Sequence, residues 1–177
     1  MSAEPVVRRL TKTKLELTLS YGCARLGIPA RSSFLRWALA VLEHLGERGS
    51  FEVSVRLVDE EEGLALNRDF RGKPYATNVL SFPTDVPKHR GPRLLGDIAL
   101  CAPVVKREAI EQAKTLSAHY AHLTVHSVLH LLGYDHQEDA AATAMEALEV
   151  QILQSLGFVD PYADPIHQRQ ARGVPTV

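Results

Sequence analysis

The sequence predicts an α+β fold: a single domain built on a small mixed four-stranded sheet with flanking helices. Three observations carry this. Four short stretches read as strands, helical apolar spacing takes over after residue 101, and 177 residues supply one proper hydrophobic core. Apolar residues at 45% and charged residues at 23% match ordinary globular usage, which excludes collagen-like, coiled-coil and wholly disordered chains. The apolar runs fall far short of a bilayer span, and the first residues lack the basic-then-apolar order of a signal peptide. The expectation is a cytoplasmic protein with no membrane segment.

The elements follow in order. Leu15, Leu17 and Leu19 alternate with polar residues and predict a first strand. Gly22, Gly27 and Pro29 mark a loop. Ser32 or Ser33 is the expected cap of a helix with Leu35, Leu39, Leu42 and Leu45 at helical spacing, ended by Gly46 and Gly49. Strict alternation of Phe51, Val53, Val55 and Leu57 predicts the second strand. Asp59 and Glu62 have capping-box spacing before a short helix reaching Phe70. Asn78 to Phe82, stopped by Pro83, is the third strand, and Gly96 to Cys101 the fourth. Pro103 suits the first turn of a helix continuing to Lys114. Ser117 is the expected cap of a second helix stopped by Gly133, and Asp139 of a third stopped by Gly157. Residues 1–162 are read as one catalytic domain and 163–177 as a flexible tail.

Bulk charge decides little, since the formal net charge is −1. Its distribution says more. Residues 68–93 carry Arg68, Arg71, Lys73, Lys88, Arg90 and Arg93 against Asp69 and Asp85, whereas residues 137–160 carry five acids and no Lys or Arg. That asymmetry allows one basic face, but from charge alone solvated loop charge is the favoured explanation. Cys23 and Cys101, far apart and in no CxxC pattern, read as ordinary thiols of a reducing compartment.

The chemistry concentrates in the histidines. His119, His122, His126 and His130 stand three, four and four residues apart, one stripe of a helix that is otherwise apolar nearly all round. Buried imidazoles each need a partner, and a metal ion satisfies several at once. His126 and His130 are one turn apart, as two ligands of one ion must be, and Gly133 can turn the chain so that His136 returns to the same point. Three histidines leave the fourth tetrahedral position open for water, as catalytic zinc requires. His122 and His130 lie ~12 Å apart along the axis, too far for one ion, so His122 is left outside the ligand set. The spacing aligns with the zinc-protease pattern HExxHxxGxxH, which makes this a zincin-like helix. Ser127, however, stands where a protease keeps its general-base Glu, which argues against peptide hydrolysis.

HSVLHLLGYDH resembles the signature of the YbeY family, the bacterial endoribonucleases of ribosomal RNA maturation. LNRDFRGKPYATNVLSFP, LLGDIALC and MEALEVQILQSLGF resemble further blocks of that family, so the likeness spans residues 53–162. Ser127, in place of a usual Gly, and SFPTD, in place of a more apolar run, depart from its pattern.

The resemblance implies a zinc-dependent, single-strand-specific endoribonuclease of rRNA processing and small-subunit quality control, with one Zn2+ per chain on His126, His130 and His136. It implies Arg71 as a functional arginine beside His126 at the catalytic centre, and guanidinium suits a phosphodiester because it stabilises charge on the oxygens bidentately. Lys73, Arg90 and Arg93 are candidate backbone contacts. Asn78 and Asp97 are expected to order the loop and sheet near the site, Asp135 to orient a ligand imidazole, and Met145 to sit in the core. The implied partners are single-stranded RNA, 16S rRNA, the small ribosomal subunit and a ribosome-associated GTPase. Two other readings remain: a non-catalytic ribosome assembly factor with structural zinc, and a metal-dependent peptidase.

Overall fold

The computed structural model describes residues 12–85, 91–135 and 137–163. The described elements run β1 (Lys14–Tyr21), α1 (Arg31–His44), β2 (Ser50–Val58), α2 (Glu60–Arg71), β3 (Val79–Pro83), β4 (Arg93–Cys101), α3 (Ala102–Glu111), α4 (Leu116–Leu131) and α5 (Asp139–Ser155). The sheet order is β1-β2-β4-β3. β1, β2 and β4 are parallel, and β3 runs antiparallel to β4 at one edge, so the sheet is mixed as expected. Among the described residues no helix is long and apolar enough to cross a membrane.

The alternation in β2 places Phe51, Val53, Val55 and Leu57 on the face that meets α1 and α4, in one core with Phe34, Trp37, Tyr120 and Leu129. α4 is the central element, and most of its surface is buried, Val125, Val128 and Leu129 completely. Met145 of α5 is also core. On the other face, Val58 and Cys101 form a smaller cluster with Val104, Leu66 and Ala76 beneath α2.

Helix ends follow the sequence better at their C-termini than at their starts. α1, α4 and α5 all stop as expected at Gly46, Gly133 and Gly157. In α4, Tyr134 N–H donates to Leu129 O and Gly133 N–H to His130 O, a Schellman turn in which Gly133 takes φ +97°. The N-caps differ from expectation. α1 begins after Ala30, not at Ser32 or Ser33, and the Arg31 Nε–H donates to Leu17 O of β1 at 2.8 Å. Thr115, not Ser117, caps α4 by accepting from Ala118 N–H. Glu138 occupies the cap of α5, leaving Asp139 in the first turn, where its charge favours the helix dipole. Asp59 accepts from Glu62 N–H as expected, but the Glu62 side chain pairs with Arg56 and does not close the box.

Gly96 joins the sheet to α4. It follows a register shift between Glu52 and Val53 and has φ +135°. A Cβ there would stand 2.1 Å from Phe82 O of β3 and 3.1 Å from Leu131 of α4. Gly96→Ala is expected to destabilise the chain by about 3 kcal/mol or more, read from the urea midpoint. A loss below about 1 kcal/mol would mean that β3 shifts aside freely.

Candidate metal centre

The histidine stripe of α4 meets carboxylates from two of the helices packed against it, α3 and α5. His119, almost fully buried, lies with Nε2 2.7 Å from Glu108 Oε2 of α3. Asn78 Nδ2–H donates to the same oxygen at 2.9 Å, tying the start of β3 to both helices. Burial pushes the Glu108 carboxyl up, but the bonds from His119 and Asn78 outweigh it and hold it below its ordinary value. This cluster is structural, and it fulfils the role expected of Asn78.

One turn further on, Glu149 of α5 takes two more histidines. Its side chain is 1% exposed. Oε1 lies 2.6 Å from His126 Nδ1, and Oε2 lies 2.9 Å from His122 Nε2. The Tyr162 hydroxyl also donates to Oε2. Burial alone would raise this carboxyl; the hydrogen bonds from His122, His126 and Tyr162 override burial and hold it at about 2. Glu149 is therefore ionised and can only accept. His126 must carry a proton on Nδ1, and it turns Nε2 to the other side. Burial lowers the His122 pKa against the opposing pull of Glu149, so His122 is a neutral donor.

That second nitrogen is where the site forms. His126 Nε2 and His130 Nε2 converge to 3.1 Å, with ring centroids 4.6 Å apart. Two nitrogens each ~2.05 Å from one tetrahedral ion stand about 3.3 Å apart, so this pair has close to the bite a zinc ion needs. A carboxylate on the far nitrogen of a ligand imidazole is also the usual second support of such ions. The residues present thus fit zinc. They supply two of the three expected ligands, and His136 lies outside the described residues.

The sequence profile described as Endoribonuclease YbeY matches residues 28–157. The chain belongs to the YbeY endoribonuclease family. A Stenotrophomonas maltophilia (strain R551-3) protein named Endoribonuclease YbeY is 55% identical over 154 residues, 85% of this chain and 94% of its own. Its namesake in Xanthomonas campestris pv. campestris (strain B100) is 54% identical over the same shares. The solution structure of TM1509 from Thermotoga maritima covers 80% of this chain and 92% of its own, with 27% identity and a TM-score of 0.50.

The YbeY-like blocks occupy different parts of the fold. Arg71 is the exposed last residue of α2. Its neighbour Phe70 packs edge-on against Phe82 of β3, ring centroids 4.8 Å apart. The loop that follows is held by Asn67 Nδ2–H donating to Tyr75 O at 2.7 Å and by Asn78 bonded to Glu108. Among the described residues the Arg71 guanidinium touches no imidazole and has no hydrogen-bond or ion-pair partner. Lys73 is exposed in the same loop. Arg93 stands 3.8 Å from Glu47 beside a cleft of about 580 Å³, whose wall includes Arg48, Thr84 and Leu131, the residue after His130. Arg90 lies outside the described residues.

One sequence expectation changes. Asp97 faces away from α4: it pairs with Ser54 and lines a depression on the opposite face of the sheet with Glu16 and Glu52. It therefore orders no part of the histidine site. The carboxylate holding His126 Nδ1 comes from α5. Ser127 is fully buried, so a Glu installed there would place a carboxylate in the core.

Sequence reasoning missed Glu149 and Tyr162. Glu149 had a signal: Met145, Glu149, Ile152 and Leu153 share one buried stripe of α5, and a charge in such a stripe demands a partner. Tyr162 had none.

Proposed function

We propose that this chain is a zinc-dependent, single-strand-specific endoribonuclease acting in ribosomal RNA maturation and small-subunit quality control in the cytoplasm. The observation that carries the reading is the convergence of His126 and His130 Nε2 at 3.1 Å, backed by Glu149. The family and the names of its close relatives support an RNA substrate. His126, His130 and His136 would hold one zinc. When bound, the ion supplies Lewis acidity and makes water acidic enough to lose a proton near neutral pH, so no Glu base is needed. Glu149 keeps the His126 proton on Nδ1. Arg71 neutralises charge developing on a phosphoryl oxygen through its two-pronged guanidinium, while Lys73 and Arg93 hold the flanking phosphates. The proposed partners are 16S rRNA in the small ribosomal subunit and a ribosome-associated GTPase.

The test is a paired assay of zinc-loaded protein on single-stranded RNA and on casein. RNA cleavage that chelation removes and zinc restores, with no proteolysis, is the expected result. Proteolysis lost in His130→Ala, without RNA cleavage, would replace this reading with a peptidase. RNA affinity should also fall steadily with salt, since its contacts are mainly to phosphate. A salt-independent affinity in filter binding would contradict that.

A further inference from the structure

We propose that Tyr162, which follows α5, is a positioning residue: acting through Glu149, it fixes the imidazole of His126. The inference rests on reading His126 as a zinc ligand. The Glu149 carboxylate is held at both oxygens. Oε1 faces His126 Nδ1, and Oε2 takes two donors from different parts of the chain, His122 of α4 and the Tyr162 hydroxyl. Without Tyr162, His122 alone would hold Oε2, and one donor fixes the last torsion of the carboxylate less tightly than two that approach from different parts of the chain. Because Glu149 is 1% exposed, water has little access to replace a missing donor.

Tyr162 is itself held for this task. Its N–H donates to Asp160 Oδ1 at 2.8 Å, an Asx turn around Pro161, whose ring restricts the backbone. Its ring stands edge-on to His122, centroids 5.3 Å apart at 84°. The residue is 48% exposed, yet its hydroxyl reaches a buried carboxylate. A tyrosine serving only to fill the core would bury its ring; this one exposes much of the residue and delivers its polar tip. The consequence is that the orientation of a ligand on α4 depends on a residue 36 positions later in the sequence.

Full-length Tyr162→Phe and Tyr162→Ala test this. Phe keeps the ring against His122 and loses only the hydroxyl. In metal-free protein, long-range proton–nitrogen spectra should show His126 as the single Nδ1–H tautomer in the parent chain and as a mixture in both variants. Zinc affinity by chelator competition should drop about tenfold in both, the usual scale for a residue behind a metal ligand. Tyr162→Ala should lower the melting temperature more than Tyr162→Phe, because it loses the ring against His122 as well as the hydroxyl. A Tyr162→Phe protein with the parent's tautomer and zinc affinity would overturn the proposal while leaving the zinc site intact. Failure of the zinc reading shows differently: His126→Ala and His130→Ala would then bind zinc as the parent does.

Discussion

His130→Ala, purified without chelators, should carry essentially no zinc and cleave no RNA. The reason is geometric. The two Nε2 atoms 3.1 Å apart form one bite, and removing either leaves a single described nitrogen facing the ion. Structural zinc in zinc-finger peptides is worth about 10–16 kcal/mol, and at a comparable share per ligand losing one should weaken binding by on the order of 10³-fold. His126→Ala should do the same and, in addition, leave Glu149 Oε1 without its donor, so it should be the less stable of the two. His119→Ala is the control. It should lower stability, because Glu108 loses its closest partner, yet keep one zinc per chain. Elemental analysis after gel filtration reads all three. One zinc per chain in His130→Ala would make the ligand assignment wrong.

Arg71→Ala should lower the RNA cleavage rate by about 10²–10³-fold while changing RNA affinity only severalfold. Its guanidinium is exposed and has no partner among the described residues, so its donors are available to a substrate. Its base is firm nonetheless: Phe70 packs on Phe82, and the following loop is held at Tyr75 and Asn78. Donors fixed in advance gain most where charge develops during the reaction, which is why the rate should suffer more than binding. Arg71→Lys should remain slow, since an ammonium keeps the charge but not the fork. Single-turnover rates beside equilibrium binding separate the two effects. Parent-like cleavage by Arg71→Ala would remove Arg71 from the reaction. Equal losses in rate and affinity would make it an ordinary phosphate contact.

Much of the fold was legible because it is written locally. The alternation from Phe51 to Leu57, the glycines ending α1, α4 and α5, and the Asp59 cap depend on residues within a few positions of one another. The N-caps of α1, α4 and α5 were harder. Competing polar residues stand within three positions of each start, and the incoming turn selects among them.

The candidate site divides in the same way. Spacing by itself determined that His126 and His130 share one face of one helix, because helical pitch depends on nothing outside the helix. It also determined which fourfold-spaced pair precedes a glycine turn. Only the tertiary structure decided what stands behind those imidazoles. Glu149 reaches His126 across 23 residues and Glu108 reaches His119 across 11, pairings that exist only once α3 and α5 pack on α4. It likewise decided that Asp97, after the register shift, faces the far side of the sheet and that Ser127 points into the core. Helical spacing follows from near-neighbour geometry, but which side chain meets a buried imidazole is a question of packing between distant segments.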